Sequence, residues 1–325
     1  MIISYIFIFY ITIFLASCFT LSWGGTKLVK VLIEIAEYLH LREFIVGFFV
    51  MAIAASLPNF FVDINAALHK ISGLALGDVI GGNIVDLTLV LALAVFFSGG
   101  KLLTDSQMVQ GSTIFTSALA VLPVLFILTG RITRIDGLIL IFAFFIYSYW
   151  LFSKEERFKK IYSEDKIKDL KSRFAFLKTI LTAVALLGLL ILSSYGIIYS
   201  AQFFAQTLVA SISVIGLLII GLGNCFPETY FSIISARKEE NWMILGDIMG
   251  SIVICATLDL GLVALINPIQ GFAVSSFNIA AIFTILAAIV FWTVIKTGKT
   301  ITKKEGILLL SIYIVFLLSE IFIKF

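Results

Sequence analysis

The sequence predicts an all-α polytopic membrane protein, with ten transmembrane helices arranged as two inverted five-helix repeats. Hydrophobic residues make up 61% of the 325-residue chain and charged residues 13%, whereas a soluble domain carries about twice that charged fraction. Ten apolar runs are long enough to cross a bilayer, and one stretch of the first half recurs in the second. Because five is an odd number of crossings, the second repeat must lie upside down relative to the first.

The ten runs divide evenly about a charged connector. The first run is long and charged in its second part, from Lys27 to Tyr38, so we expect a tilted first helix that emerges at the interface. It has no basic n-region and no A-x-A site, which favours a first span over a cleaved signal peptide. The runs lie at about 2–37, 42–69, 74–98, 108–129, 134–152, 176–206, 210–236, 242–266, 271–296 and 304–324. The predicted domains are a first repeat at 1–152, a cytoplasmic connector at 153–174 and a second repeat at 175–325.

An internal repeat links the two halves. Residues 44–88 recur as residues 213–257, with a constant shift of 169 positions. Each copy has a proline beside a polar residue within an apolar run, at 56–59 (SLPN) and at 225–228 (CFPE). Proline removes a helical hydrogen bond, and a freed carbonyl at bilayer depth must face protein or a wet cavity. The repeat therefore predicts two related helix irregularities near the membrane midplane.

The distribution of basic residues predicts the orientation. If the connector is cytoplasmic, nineteen of the 23 Lys and Arg residues lie inside, as the positive-inside rule requires. We therefore expect a multi-pass protein of the cell membrane with both termini outside. The three cysteines all lie in apolar runs, which argues against a disulfide framework.

Four predicted helices each carry one stripe of polar residues, spaced about four apart, on an otherwise apolar surface. None of these stripes contains Lys or Arg. An intramembrane carboxylate is costly and marks a functional candidate. In span 2 the stripe is Ser56, Asn59 and Asp63; in span 3 it is Asp78, Gly82 and Asp86; in span 7 it is Asn224, Glu228 and Ser232; in span 8 it is Asp247, Ser251, Cys255 and Asp259.

These stripes allow more than one interpretation. Polar stripes commonly hold helices together in a bundle, and Asp78 and Asp247 could equally cap helix starts or guide an ion. Asp259 lies nearer the far end of its span and is the weaker candidate for a site. The stripes recur in both repeats, however, and their acids have no basic partner. Such carboxylates need a bound cation or a proton, so a cation site is the favoured interpretation.

The repeat motifs resemble those of the calcium/cation antiporter superfamily, most nearly the prokaryotic sodium/calcium exchangers. The alpha-repeats of that family read approximately G-T-S-L-P-E on one helix and G-N-V-x-G-S-N-x-x-[ND] on the next. The first copy here reads AASLPN at 54–59 and GDVIGGNIVD at 77–86. The second copy reads GNCFPE at 223–228 and GDIMGSIVIC at 246–255. The resemblance covers essentially the whole chain.

The motifs depart from the family at the positions that carry charge. The resemblance implies two glutamates around calcium, one from each repeat, but here only Glu228 is present and its partner is Asn59. The acid that the family has at the end of the second repeat is Cys255, whereas the matching residue of the first repeat, Asp86, is acidic. Asp63 lies one turn from Asn59. The site is therefore expected to have its charge rearranged and reduced.

The resemblance implies a secondary active cation antiporter that moves Ca²⁺ against Na⁺ or H⁺ by alternating access. Calcium prefers several carboxylate and carbonyl oxygens, so a site with fewer acids could instead suit a Na⁺/H⁺ or other monovalent cation antiporter. A transport-inactive relative that senses ions is a further alternative. No enzyme motif is present in the spans, and no cofactor is predicted beyond the transported ions. The predicted cation ligands are Glu228 as the principal acid, Asp86 as the second acid, and Asn59, Ser56, Asn224, Ser251 and Asp63.

The remaining expectations concern partners. We expect inorganic cations and the lipid bilayer as the partners of this chain. The net charge of +3 gives no indication of nucleic-acid binding, and none is predicted. The chain is expected to be a monomer.

Overall fold

The computed structural model describes residues 2–38, 51–153, 173–208, 211–237 and 241–324. Among these residues, nine helices are long and apolar enough to cross a membrane. The predicted second span, 42–69, is described from Met51 onward and is helical to Leu68. The polytopic all-α prediction is confirmed. Most of the predicted connector, 153–174, lies outside the described residues.

Each half of the chain is built from helical spans and one short strand. The first half contains α1 (Ile2–Tyr38), α2 (Met51–Leu68), α3 (Ser72–Val85), α4 (Leu91–Phe97), β1 (Lys101–Leu103), α5 (Gln107–Ile127) and α6 (Arg134–Phe152). The second half contains α7 (Arg173–Thr207), α8 (Ile212–Ile215), α9 (Gly221–Asn224), α10 (Phe226–Arg237), α11 (Asn241–Val253), α12 (Leu260–Ile266), α13 (Asn278–Gly298), β2 (Thr300–Thr302) and α14 (Lys303–Lys324). A short 3₁₀ helix, Val274–Phe277, precedes α13.

Two crossed backbone pairings fix the relative orientation of the repeats. Strand β1, which follows α4, pairs antiparallel with β2, which lies between α13 and α14. On the other side, Ile132 between α5 and α6 bridges to Ile269 after α12. Helices α5 and α13 each cross the membrane, so the loop that follows α4 and the loop that follows α12 lie on opposite faces. The repeats are therefore inverted, as the odd number of spans predicts.

The helices that carry the polar stripes form the centre of the bundle. In the apolar windows of spans 3 (Ser72–Phe97) and 8 (Ile244–Ile266), 83% of the residues are buried, against 17% for Tyr5–Leu28 of α1. Helix α1 packs mainly against α7, where the rings of Tyr10 and Phe203 stack with centroids 4.0 Å apart. The long first and sixth spans thus lie on the outside of the central four helices.

Three of the described central spans contain a π-helical segment. These segments are Asp86–Val90 between α3 and α4, Gly216–Ile220 between α8 and α9, and Ile254–Asp259 between α11 and α12. The first and third occupy matching positions of the two repeats, because a shift of 169 residues carries Asp86 onto Cys255. Inserted π turns are frequent at functional sites. Here they rotate the polar residues of spans 3 and 8 relative to an uninterrupted helix.

The two repeat prolines have different effects. Pro58 lies inside the continuous helix α2. Pro227 is the second residue of α10, directly after a break at Cys225, whose backbone leaves the helical region at φ −80° and ψ 5°. Proline is well tolerated in the first turn of a helix because that N–H has no helical acceptor. The seventh span is therefore divided at the residue before α10, whereas the second is not.

Glycines allow spans 3 and 7 to touch backbone to backbone. A Cβ added at Gly81 would lie 2.8 Å from the backbone carbonyl carbon of Leu217 and closer still to its oxygen. A Cβ at Gly77 would lie 2.7 Å from the backbone nitrogen of Leu217. Small residues at such positions permit close helix approach in membranes. Gly77 and Gly81 therefore serve the close packing of spans 3 and 7.

We expect Gly81→Ala to destabilise the protein by about 1–3 kcal/mol, because the clash is with backbone atoms that cannot change rotamer. The matched control is Gly188→Ala in α7, where an added Cβ meets nothing within 4 Å and a helix gains from alanine. The midpoint of thermal unfolding in detergent measures both variants. Equal midpoints for Gly81→Ala and the parent would show that the two helices can separate without cost.

Candidate cation site at the centre of the bundle

Spans 2, 3 and 8 enclose a small cavity, and five of the eight residues that line it are Asp or Asn. Its acidic and amide side chains are all buried, with Asn59 the most accessible at 6% exposure. These spans carry no Lys or Arg between 51 and 68, 72 and 97, or 244 and 266. The cavity is lined by Asn59, Asp63, Asp78, Val79, Gly82, Asn83, Asp86 and Cys255.

A chain of contacts connects the polar residues of one repeat to those of the other. The amide nitrogen of Asn59 donates to the Cys255 sulfur at 3.6 Å. That sulfur lies 4.0 Å from the Ser251 hydroxyl, which in turn donates to Glu228 Oε1 at 3.3 Å. The contacts join Asn59 of the SLPN motif in the first repeat to Glu228 of the related CFPE motif in the second repeat. The polar neighbours of the two repeat prolines therefore lie in one connected group.

Asp86 lies beside the same group. Its carboxylate is within hydrogen-bonding reach of Cys225 and Ser251, and it interacts electrostatically with Glu228 and Asp247. The Cys225 thiol also donates to the carbonyl of Gly82 at 3.6 Å. Two buried acids, one from each repeat, thus approach Ser251 from different helices.

Several buried oxygens in this group receive no hydrogen bond from any residue that the structure describes. Ionised carboxylates and amide oxygens only accept hydrogen bonds, and a buried acceptor without a donor is uncommon in native proteins. A cation would satisfy these oxygens, which is the fit expected of an oxygen-ligand site. The atoms are Asn59 Oδ1, Asp86 Oδ1, Glu228 Oε2 and Asp247 Oδ2.

Two further predicted ligands lie at the edge of this group. Ser56 is buried one turn before Asn59 on α2. Asn224 uses its amide nitrogen to donate to Asp78 Oδ2 at 2.6 Å. The capping alternative for Asp78 is wrong, because Asp78 is the seventh residue of α3 and the cap residue is Ile71. Asp247 is likewise the seventh residue of α11, too far along the helix to cap its start.

Asp63 lies in a neighbouring group of acids. Its carboxyl group is within hydrogen-bonding reach of those of Asp78 and Asp259. Its place near the far end of span 8 makes Asp259 the weaker candidate for a cation site in the sequence. The structure nevertheless buries Asp259 completely. The four-residue spacing of Asp247, Ser251, Cys255 and Asp259 indicates that Asp259 shares a helix face with the other polar residues of span 8. The π segment that ends at Asp259 changes its direction, which sequence spacing does not reveal.

The acidic side chains of this group are not arranged to coordinate a cation by themselves. Within the described parts of the chain, no three His, Cys, Asp or Glu side chains are arranged to hold a metal ion. A cation bound near Glu228 and Asp86 would therefore also draw on neutral oxygens such as Asn59 Oδ1 and the Ser251 hydroxyl. Such a mixed set of oxygen ligands is usual for hard cations.

Both repeats match the model of one protein family. Residues 9–153 and residues 178–322 match the family described as sodium/calcium exchanger protein. Together these two segments cover most of the chain, and their limits follow the two five-helix repeats.

Individual relatives match along nearly their whole length. The sodium/calcium exchanger MaX1 of Methanosarcina acetivorans is 24% identical, over 92% of this chain and 95% of its own. The inner membrane protein YrbG of Escherichia coli is 25% identical, over 84% and 85%. A structure of the sodium-calcium exchanger NCX_Mj superposes with a TM-score of 0.63 at 22% identity, over 95% of this chain and 98% of its own. At that identity the superposition establishes a shared fold.

Proposed function

The chain belongs to the sodium/calcium exchanger family, and from this premise we propose that it is a secondary active antiporter that exchanges Ca²⁺ for Na⁺ or H⁺. The observation that carries the proposal is the pair of buried acids, Glu228 and Asp86. They come from opposite repeats, meet at Ser251 and have no basic partner among the residues that the structure describes. Substrate sites of inverted-repeat transporters lie at the repeat interface near the bilayer midplane, and the approach of one acid from each repeat to Ser251 supports such a site here.

Six of the predicted ligands have a proposed role around one Ca²⁺ ion. Glu228 and Asp86 supply two negative charges, which match the charge of one Ca²⁺. Asn59 and Ser251 supply neutral oxygens, and Ser56 and Asn224 supply further neutral oxygens at the edge of the site. Ca²⁺ takes six to eight oxygen ligands, so backbone carbonyls near the break at Cys225 would contribute the remainder.

The proposed transport step is a change of access around a site that stays in place. Rocking or gating of one group of helices against another would open the acids to each face in turn. The proposed orientation has both termini outside and the connector 153–174 inside, supported by the distribution of Lys and Arg. In that orientation the β1–β2 pairing lies on the cytoplasmic face and the Ile132–Ile269 bridge on the outer face.

The function is tested by ion flux in proteoliposomes that contain the purified protein. Uptake of ⁴⁵Ca²⁺ is measured with an outward gradient of Na⁺, with an outward gradient of H⁺, and with neither. Gradient-driven uptake supports exchange and identifies the coupling ion. Sodium-driven proton movement without calcium uptake would indicate a monovalent antiporter. Binding of Ca²⁺ without any flux would indicate an ion-sensing relative.

The missing family glutamate gives a gain-of-function prediction. We expect Asn59→Glu to tighten Ca²⁺ binding by about tenfold, since a carboxylate is added among oxygens that lack donors, and tenfold corresponds to about 1.4 kcal/mol. Binding of ⁴⁵Ca²⁺ to the purified variant measures the change, and Asn59→Gln is the neutral control of the same length. An unchanged affinity in a folded Asn59→Glu protein would mean that position 59 does not face the ion.

A further inference from the structure

The ends of helices α4 and α10 are joined by a contact between a cation and an aromatic ring. Phe97 is the last residue of α4, and Arg237 is the last described residue of α10. The guanidinium carbon of Arg237 lies 5.1 Å from the centroid of the Phe97 ring, within the distance of about 6 Å at which such a pair attracts. The side chain of Phe97 is 40% exposed, and Arg237 is also exposed. The pair therefore lies at the surface of the protein, away from the buried cation site.

The same two stretches of helix start at the proposed cation site. Glu228 lies in the first turn of α10, and Asp86 begins the π segment that leads into α4. Helix α10 packs against α4. At a rise of about 1.5 Å per residue, the Arg237–Phe97 pair lies roughly 15 Å along these helices from the two acids. Separation of the two helix ends would therefore open a path from the acids to the membrane face at which β1 lies.

The repeat relates these helix ends to a second pair of helix ends on the opposite face. The shift of 169 residues carries Arg237 onto Leu68 and Phe97 onto Ile266. Leu68 is the last residue of α2, and Ile266 is the last residue of α12. Both of these side chains are aliphatic, and a cation–π contact needs a cation and a ring. At these repeat-related positions the contact is therefore possible on one face only.

An attraction that is made in only one of two states increases the population of that state. We propose that Arg237 is a positioning residue that acts through Phe97 to hold α10 against α4, and that this contact favours the state closed on the β1 face. In the proposed orientation the β1 face is cytoplasmic, so the acids are accessible from the outside for more of the time. The inference rests on the proposed function and deepens it by naming a contact that sets the balance between its two states.

The test measures access to α10 from the cytoplasmic face. Ser232 lies four residues after Glu228, on the same face of α10, and is fully buried. A cysteine at this position would react faster when α10 and α4 separate. The rate at which a membrane-impermeant maleimide labels Ser232→Cys protein is measured in inside-out vesicles. Protein without this substitution, whose three native cysteines are buried, gives the background.

We expect Arg237→Gln to raise the labelling rate by about two- to fivefold, which is the change in population that loss of an exposed cation–π pair produces. Phe97→Leu removes the ring but keeps an apolar side chain, and it should raise the rate by the same factor. It is also the second variant if Arg237→Gln does not fold. The double variant should be no faster than either single variant, because both substitutions remove the same contact.

Two controls separate this contact from a general effect of charge. Arg237→Lys keeps a cation at the helix end, and its labelling rate should lie nearer the parental rate than that of Arg237→Gln. Lys178→Gln removes an exposed cation from the second turn of α7, outside the pair, and should leave the rate unchanged.

The outcomes decide the inference independently of the proposed function. An unchanged labelling rate in Arg237→Gln, additive effects of Arg237→Gln and Phe97→Leu, or an equal increase in Lys178→Gln would each overturn it. The labelling needs no ion flux, so it decides the role of Arg237 even if the chain does not exchange calcium. Absence of gradient-driven ⁴⁵Ca²⁺ uptake in the parent would refute calcium exchange and leave the labelling result unaffected.

Discussion

Glu228→Gln is expected to abolish calcium exchange in proteoliposomes while the protein still inserts and folds. Glutamine keeps the shape of the side chain and its contact with the Ser251 hydroxyl, but it removes a negative charge whose Oε2 oxygen receives no hydrogen bond within the described part of the chain. Loss of one member of a buried charge pair costs about 2–5 kcal/mol, or roughly 30-fold to several thousand-fold in Ca²⁺ affinity. Initial rates of ⁴⁵Ca²⁺ uptake and the equilibrium binding of ⁴⁵Ca²⁺ measure the effect.

One control variant and one measurement of pH dependence accompany Glu228→Gln. Glu34→Gln changes an exposed carboxylate on α1 and should exchange at the parental rate. Acidification should weaken binding in the parent, since protons and Ca²⁺ compete for carboxylate oxygens. If Glu228→Gln exchanges at the parental rate with the parental pH dependence, Glu228 is not a ligand and Asp63 or Asp86 becomes the better candidate.

Asp86→Asn is expected to lower calcium affinity by about tenfold or more, and Cys255→Asp is expected to restore most of the loss. Positions 86 and 255 are repeat-related and line the same cavity. Calcium affinity should therefore depend on the number of carboxylates at this cavity and less on whether span 3 or span 8 supplies them. The double variant is compared with Asp86→Asn and with Cys255→Asp in the same ⁴⁵Ca²⁺ binding assay.

Cys255→Ser serves as the control for this exchange of charge, because it changes the thiol without adding a carboxylate. Rescue in the double variant, with no rescue by Asp86→Asn/Cys255→Ser, is the expected pattern. A double variant as weak as Asp86→Asn would show that a carboxylate at 255 does not reach the ion.

Much of the architecture could be predicted because the bilayer restricts the available structures. Apolar runs of spanning length have to become helices, and the repeat of 44–88 at 213–257 predicts inversion once five spans are counted. The meeting of Asn59, Ser251 and Glu228 also follows from the repeat, because related residues of inverted halves approach the same axis. The polar stripes alone would not have predicted it, since each describes only one helix.

Other features depend on contacts that the sequence does not encode locally. Asp63 approaches Asp259 at the end of the π segment Ile254–Asp259, and no residue type specifies a π turn. Pro58 and Pro227 are equivalent in sequence, yet only the second follows a helix break. The pairing of β1 with β2 joins loops almost 200 residues apart. Each of these results from how neighbouring helices pack, which propensity and periodicity do not determine.

The cross-repeat contacts have a consequence for the order in which the molecule is made. Asp78 accepts a hydrogen bond from Asn224, which is 146 residues later in the chain. Asn59 donates to Cys255, which is 196 residues later. At translation rates of about 5–20 residues per second, the acids of the first half are in the membrane for roughly 7–30 s before Asn224 is synthesised. During that interval their carboxylates have only water, protons or free cations as partners. The nascent first half therefore depends on its surroundings for the charge balance that the finished protein supplies through its second half and its bound ions.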